Sequence, residues 1–256
     1  MPDPNPPVHP LLWFTSGTPI YVGQRECAME RYLGYHAGRH GTGYRRKQTA
    51  VPLVTGGAVH MGLKLIGEWI LEWQATHPQR RLMTLPDDVA AWAATEAAAR
   101  YQARAEAKGL LLTTGDANAE AAVKTLILEQ RTLVEGLVWM YALVRLPYML
   151  SEHKLFDVEV EETPIVDCTC GLGDWIGTVE AHQSRGCQGI VAQARADYTW
   201  EAVTDLSLIY EEFKTKATAN YGWEQQWEHS GQLVRNMEAG SRRLGREISE
   251  AFVPVL

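Results

Sequence analysis

A glutamate and a lysine flank one aromatic residue in Glu212-Phe213-Lys214-Thr215, at the end of a run rich in Leu, Ile and Tyr. On a strand, alternate side chains share a face, so Glu212 and Lys214 point together while Phe213 turns to the core. A carboxylate there can hold a hard divalent cation. An ammonium beside it can orient an attacking water or stabilise charge developing on a phosphate. The tripeptide alone is a weak signal, because Glu-x-Lys also occurs at Glu106/Lys108 and Glu152/Lys154. Of the three, Glu212/Lys214 is the pair inside a convincing strand. Asp197 closes the strand before it. A hairpin centred near Thr204 sets Asp197 across from Glu212. Two carboxylates opposed on one face repel, and a cation between them relieves the repulsion. The plainer alternatives are a surface charge pair for Glu212/Lys214 and a loop-capping role for Asp197.

A second set of residues suits a softer metal. Cys168-Thr169-Cys170 and Cys187, with His182 between, offer three thiolates and an imidazole, enough for a tetrahedral zinc site. Gly171, Gly173, Gly177 and Gly186 permit tight turns around them. The spacing is not that of a standard finger, and the competing reading is reduced, partly buried thiols. Four cysteines in 256 residues exclude a disulfide scaffold.

The elements that must position these groups follow from periodicity and punctuation. Residues 1–18 read as a loose N-terminal arm, followed by a short helix from Tyr21 to Tyr35. A basic, Gly-rich loop with Arg39, Arg45, Arg46 and Lys47 comes next. Helices are expected over 57–77, 86–108 and from 116 or 118 to 150. Strands are expected over 156–161, 189–200 and 205–216, and a helix over 221–248. Helices, then strands, then helix make an α+β pattern. The apolar stretch 132–150 carries Glu135 and Arg145 and reads as a buried core helix, not a membrane span. No signal peptide opens the chain, and a cytoplasmic location is expected. The apolar residues Phe252-Val253-Pro254-Val255-Leu256 suggest a sequence cut short at its C-terminus. The net charge of −7 argues against coating nucleic acid by bulk charge. Any such contact must come from local basic patches.

The ordered set of motifs resembles the RecB-like branch of the PD-(D/E)XK nuclease superfamily, as found in phage exonucleases and CRISPR-adaptation nucleases. Gln24 to Tyr32 resembles the family's short helix containing Cys and Tyr, and Gly56-Gly57-Ala58-Val59-His60 its Gly-x-x-(apolar)-His motif at the head of a helix. Ala196-Asp197, Glu212-Phe213-Lys214-Thr215 and Gln232-Leu233 resemble its Asp, Asp/Glu-x-Lys-Thr and Gln motifs, with Gln225 competing for the last. The resemblance spans about residues 20–240. It implies a restriction-endonuclease-like core with a mixed central sheet flanked by helices. On this reading 19–256 is one nuclease-like domain, with 57–150 an added helical layer and 167–187 a Cys-containing insertion. It also implies Mg²⁺ or Mn²⁺ held by His60, Asp197 and Glu212, Lys214 as catalytic lysine and Gln232 as a positioning residue. The implied activity is exonuclease-like hydrolysis of DNA in a phage, recombination or repair setting. Some relatives hold an iron–sulfur cluster. Cys27 fits its first position, but no Cys follows Lys214, so this chain does not support the cluster. The rival expectations are a nuclease fold that binds nucleic acid without cutting, and a zinc-stabilised interaction module.

Overall fold

The computed structural model describes residues 51–107, 117–162, 165–191, 194–214 and 231–254. The chain divides into two compact units, Met1–Arg46 with Val160–Arg195 and Ser230–Glu247, and Lys47–Glu159 with Ala196–His229 and Ile248–Leu256. The elements in chain order are α1 (Val51–Thr76), α2 (Asp87–Ala107), α3 (Ala117–Met140), a π-helical segment (Tyr141–Arg145), α4 (Leu146–Glu152), β1 (His153–Glu162) and β2 (Ile165–Val166). They continue with α5 (Val179–Ser184), β3 (Ile190–Val191), β4 (Ala194–Ala202), β5 (Leu208–Glu211), α6 (Gly231–Leu244) and β6 (Ile248–Phe252). The architecture is α+β: a four-stranded sheet in the order β1-β4-β5-β6, with helices around it. The sheet is mixed, since β4 and β5 pair antiparallel while β5 and β6 pair parallel.

The helical layer packs because its facing side chains are small. The buried stripe of α2 is Ala90, Ala93, Ala94, Ala97, Ala98, Tyr101 and Ala105. A Cβ at Gly62 of α1 would fall 2.9 Å from the Ala97 Cβ and 2.7 Å from Val138, so only glycine allows that approach. Asp87 and Asp88 in the first turn of α2 and Arg104 in its last complement the helix dipole. Val59, Leu63, Ile66 and Ile70 of α1 meet Val134 and Val138 of α3 in one core with Tyr198, Trp200 and Phe213 from the β4–β5 region. Gly67 lets α1 lie against the sheet: a Cβ there would come within 2.7 Å of the Tyr198 ring and of Val158.

Several boundaries differ from the sequence reading. Helix α1 begins at Val51, not at 57, so Gly56 and Gly57 lie inside it and His60 stands in its third turn. Tertiary packing overrides the low helix propensity of the two glycines. The expected strand 189–200 is two strands, β3 and β4. The expected strand 205–216 is regular only over Leu208–Glu211; Glu212 and Phe213 leave the ladder and Lys214 makes an isolated bridge. The helix expected to run to 248 stops at Leu244, where Gly245 adopts φ +63. Ile248–Phe252 is β6, so part of the apolar run near the C-terminus pairs with β5. The 36-residue run Ala117–Glu152 is long and apolar enough to cross a membrane by length and composition. One face of it, with Ile127, Val134, Val138, Leu146 and Met149, is buried in the protein core. Its other face leaves Leu128, Met140, Val144 and Tyr148 exposed. The N-terminal arm, the Gln24–Tyr32 segment, the basic loop and Cys27 lie outside the described residues.

Candidate metal centres

The first centre lies in the unit that holds α1 and the β4–β5 hairpin. The pairs of that hairpin run from Glu201↔Leu208 to Tyr198↔Glu211, and Asp197 and Glu212 are the next residues along the chain beyond the last pair. Asp197 is fixed at both oxygens. The Phe213 backbone N–H donates to Oδ2 at 2.8 Å, and His60 Nδ1 lies 3.2 Å from Oδ1. Lys214 Nζ donates to Glu212 Oε1. Phe213 anchors the segment beneath, with edge contacts to Tyr198, Tyr141 and His60 at centroid distances of 4.7, 5.1 and 6.0 Å. Residues from α1, β4 and the segment after β5 are thereby brought to one place.

The carboxylates are buried, Asp197 5 % exposed and Glu212 3 %. Burial, reinforced by the charge on Asp197, pushes Glu212 up to about 7 against the pull of Lys214. Burial pulls the His60 imidazole down, and its contact with Asp197 outweighs that, leaving its pKa raised. Paired carboxylates of this kind suit a hard cation in donor chemistry. Their oxygens are partly engaged, however: His60 covers one carboxylate and Lys214 the other. A cation shared between Asp197 and Glu212 therefore requires these two contacts to open.

Behind the site stands a polar group that sequence reasoning missed. Glu211 is wholly buried and accepts from Tyr141 Oη at 2.9 Å, Trp200 Nε1 at 2.8 Å and Arg145 Nε at 3.1 Å. The π-helical turn brings Tyr141 and Arg145 to the same carboxylate. Burial raises the Glu211 pKa, and Arg145 together with the other donors opposes the rise. The available signal was Arg145 itself, a cation in an apolar helix that needs a buried partner.

The second centre is in the other unit. Among the described residues, Cys168, Cys170, His182 and Cys187 form the group whose ligand atoms converge on a metal-sized space, all within 4.8 Å of one another. Cys168 Sγ lies 3.5 Å from Cys170 Sγ and 3.9 Å from Cys187 Sγ. His182 Nδ1 lies 3.5 Å from both Cys168 Sγ and Cys170 Sγ. A tetrahedron with the usual Zn–S and Zn–N bond lengths has edges of about 3.8 Å between sulfurs and about 3.5 Å between sulfur and nitrogen. The group can therefore hold a metal such as zinc.

Its surroundings suit the same role. The Ile176 carbonyl can only accept, so His182 Nε2–H donates to it at 2.6 Å, leaving the Nδ1 lone pair for the ligand position. Thr178 caps α5 by accepting from the Ala181 N–H at 3.2 Å, and Gly186 at φ +66 ends it, returning Cys187 beneath His182. Burial pushes the Cys187 thiol up, but the N–H groups of Thr169 and Gly189 with His182 outweigh it and bring it to about 5. Antiparallel β2 and β3 close the base, pairing Ile165 with Val191.

Of the other candidates, Gln232 falls in α6 with its side chain outside the described structure, and Gln225 lies outside the described residues. No protein-family model matches the chain, and no curated protein matches it in sequence.

Proposed function

We propose that this protein is a metal-dependent nuclease that hydrolyses phosphodiester bonds of DNA by PD-(D/E)XK chemistry. One observation carries the reading: His60 meets Asp197, Lys214 meets Glu212, and Glu212 lies close enough to Asp197 and His60 to feel their charges. A structural charge pair has no need of a third and fourth partner drawn from another helix and strand.

A divalent cation such as Mg²⁺ or Mn²⁺ would be held by Asp197 and Glu212, with His60 beside them. When bound it supplies charge neutralisation at the scissile phosphate and a more acidic attacking water. The protein's own groups do the rest. The Phe213 N–H holds Asp197 in place. Lys214, released from Glu212, donates to the developing charge on the phosphate or orients the water. The Tyr141–Arg145–Trp200 clamp on Glu211 fixes the backbone next to Glu212. Exonuclease action is what the family resemblance suggests. The second centre has four protein ligands and no open position, which favours a zinc ion that stabilises the fold and takes no part in the reaction.

The test is cleavage of end-labelled linear and circular DNA in Mg²⁺, Mn²⁺ or EDTA, with wild type and Lys214→Ala. Metal-dependent cutting that is lost in the variant supports the reading. Binding without cutting in both makes the protein a non-cutting binder, and neither binding nor cutting favours the zinc-stabilised interaction module.

A further inference from the structure

Helix α2 carries two arginines one turn apart, Arg100 and Arg104. Like charges at that spacing repel. Among the described residues neither forms an ion pair, although carboxylates are near in sequence. Glu106 instead accepts from Gln102 at 3.1 Å. Both arginines line a cavity of about 230 Å³ whose other wall is Gly57, Ala58 and Met61 of α1. A Cβ at Gly57 would meet the Arg104 guanidinium at 3.2 Å, and one at Gly62 would meet Ala97. The two helices therefore run antiparallel, and that register places His60 level with Arg100.

We infer that Arg100 and Arg104 form a phosphate-binding cradle that receives the nucleic-acid backbone next to the reacting phosphodiester. The inference rests on the nuclease reading for its ligand class. Three features point to an anion. The guanidiniums are exposed and make no ion pair among the described residues, both line a concavity, and the chain as a whole carries a net charge of −7. A protein of that charge needs local cations to hold a polyanion, and planar guanidiniums match phosphate oxygens bidentately.

The experiment measures binding of a short end-labelled DNA duplex in EDTA as a function of salt. It compares wild type, the double variant Arg100→Ala/Arg104→Ala and the charge-keeping Arg100→Lys/Arg104→Lys. Losing two phosphate contacts flattens the slope of log K against log salt by about 1.8. The lysine variant keeps most of the slope. With Mg²⁺ the alanine variant loses activity mainly through KM. Both positions are exposed on a helix that favours alanine, so folding is retained and is checked by thermal melting. An unchanged slope and KM in the alanine variant overturn the cradle while leaving the nuclease reading in place. Wild type that binds with an arginine-dependent slope yet never cuts does the reverse. Wild type that binds no DNA overturns both.

Discussion

The two centres are built in opposite ways. The Cys168–Cys170–His182–Cys187 group comes from one short stretch, and its ligand atoms already lie within 4.8 Å of one another. The His60–Asp197–Glu212–Lys214 group draws on α1, β4 and the end of β5, and its carboxylates are closed by His60 and Lys214. The first is a staple: local ligands, turns set by glycine, a small surrounding core of Ile165 and Cys187. The second needs a large hydrophobic core to bring distant groups together, and it holds buried carboxylates in tension.

The largest expected effect separates them by folding. Stripping zinc, or replacing Cys170 with Ser, removes a site of the kind that contributes about 10–16 kcal/mol in small zinc domains. Hydrogen exchange should then show loss of protection across 165–191 while α1 and α2 stay protected. Equal loss in both units would break the comparison. Next, Arg145→Met leaves Glu211 buried without its cation. The partner's removal should cost about 3 kcal/mol in urea unfolding, at the low end for a buried pair because Arg145 is partly exposed and two neutral donors remain. An unchanged midpoint would deny the clamp its role in framing the carboxylate site.

An effect of similar size sharpens the idea of tension. Glu212 has its folded pKa raised from an ordinary 4.5 to about 7. An acid shifted this way destabilises the fold: the penalty is absent below pH 4.5, grows as pH rises and is complete above about 7. Without divalent metal, stability should fall by about 3 kcal/mol between pH 4.5 and 8. Glu212→Gln should abolish that fall, and Mg²⁺ should offset it in the wild type. A flat pH profile in the wild type would contradict the tension.

How much of this could be read beforehand follows from the same contrast. The Cys168, Cys170, His182 and Cys187 group was legible because these residues lie close in sequence and have few other uses. Asp197 and Glu212 were legible as a pair because the turn between them is short, and the expected centre near Thr204 agrees with the observed register. His60 was legible only by resemblance; spacing along α1 does not say what faces it. Glu211, Tyr141 and Arg145 were not legible as a cluster, because a π-turn and a non-local strand join them. Strand β6 was missed because its parallel partner, β5, lies far upstream. Arg100 and Arg104 look like ordinary surface charges until α1 is laid beside α2.

Metal-dependent cleavage by the converged carboxylate–lysine group is tested by cutting end-labelled linear DNA with wild type and Lys214→Ala, in Mg²⁺ or Mn²⁺ and in EDTA, at matched zinc content. Wild type should cut with the divalent metal alone, and the substitution should reduce cutting about 10²–10³-fold, as for loss of a charge-stabilising donor. Cutting that survives in EDTA, or that is equal in wild type and Lys214→Ala, would contradict metal-dependent cleavage by this group.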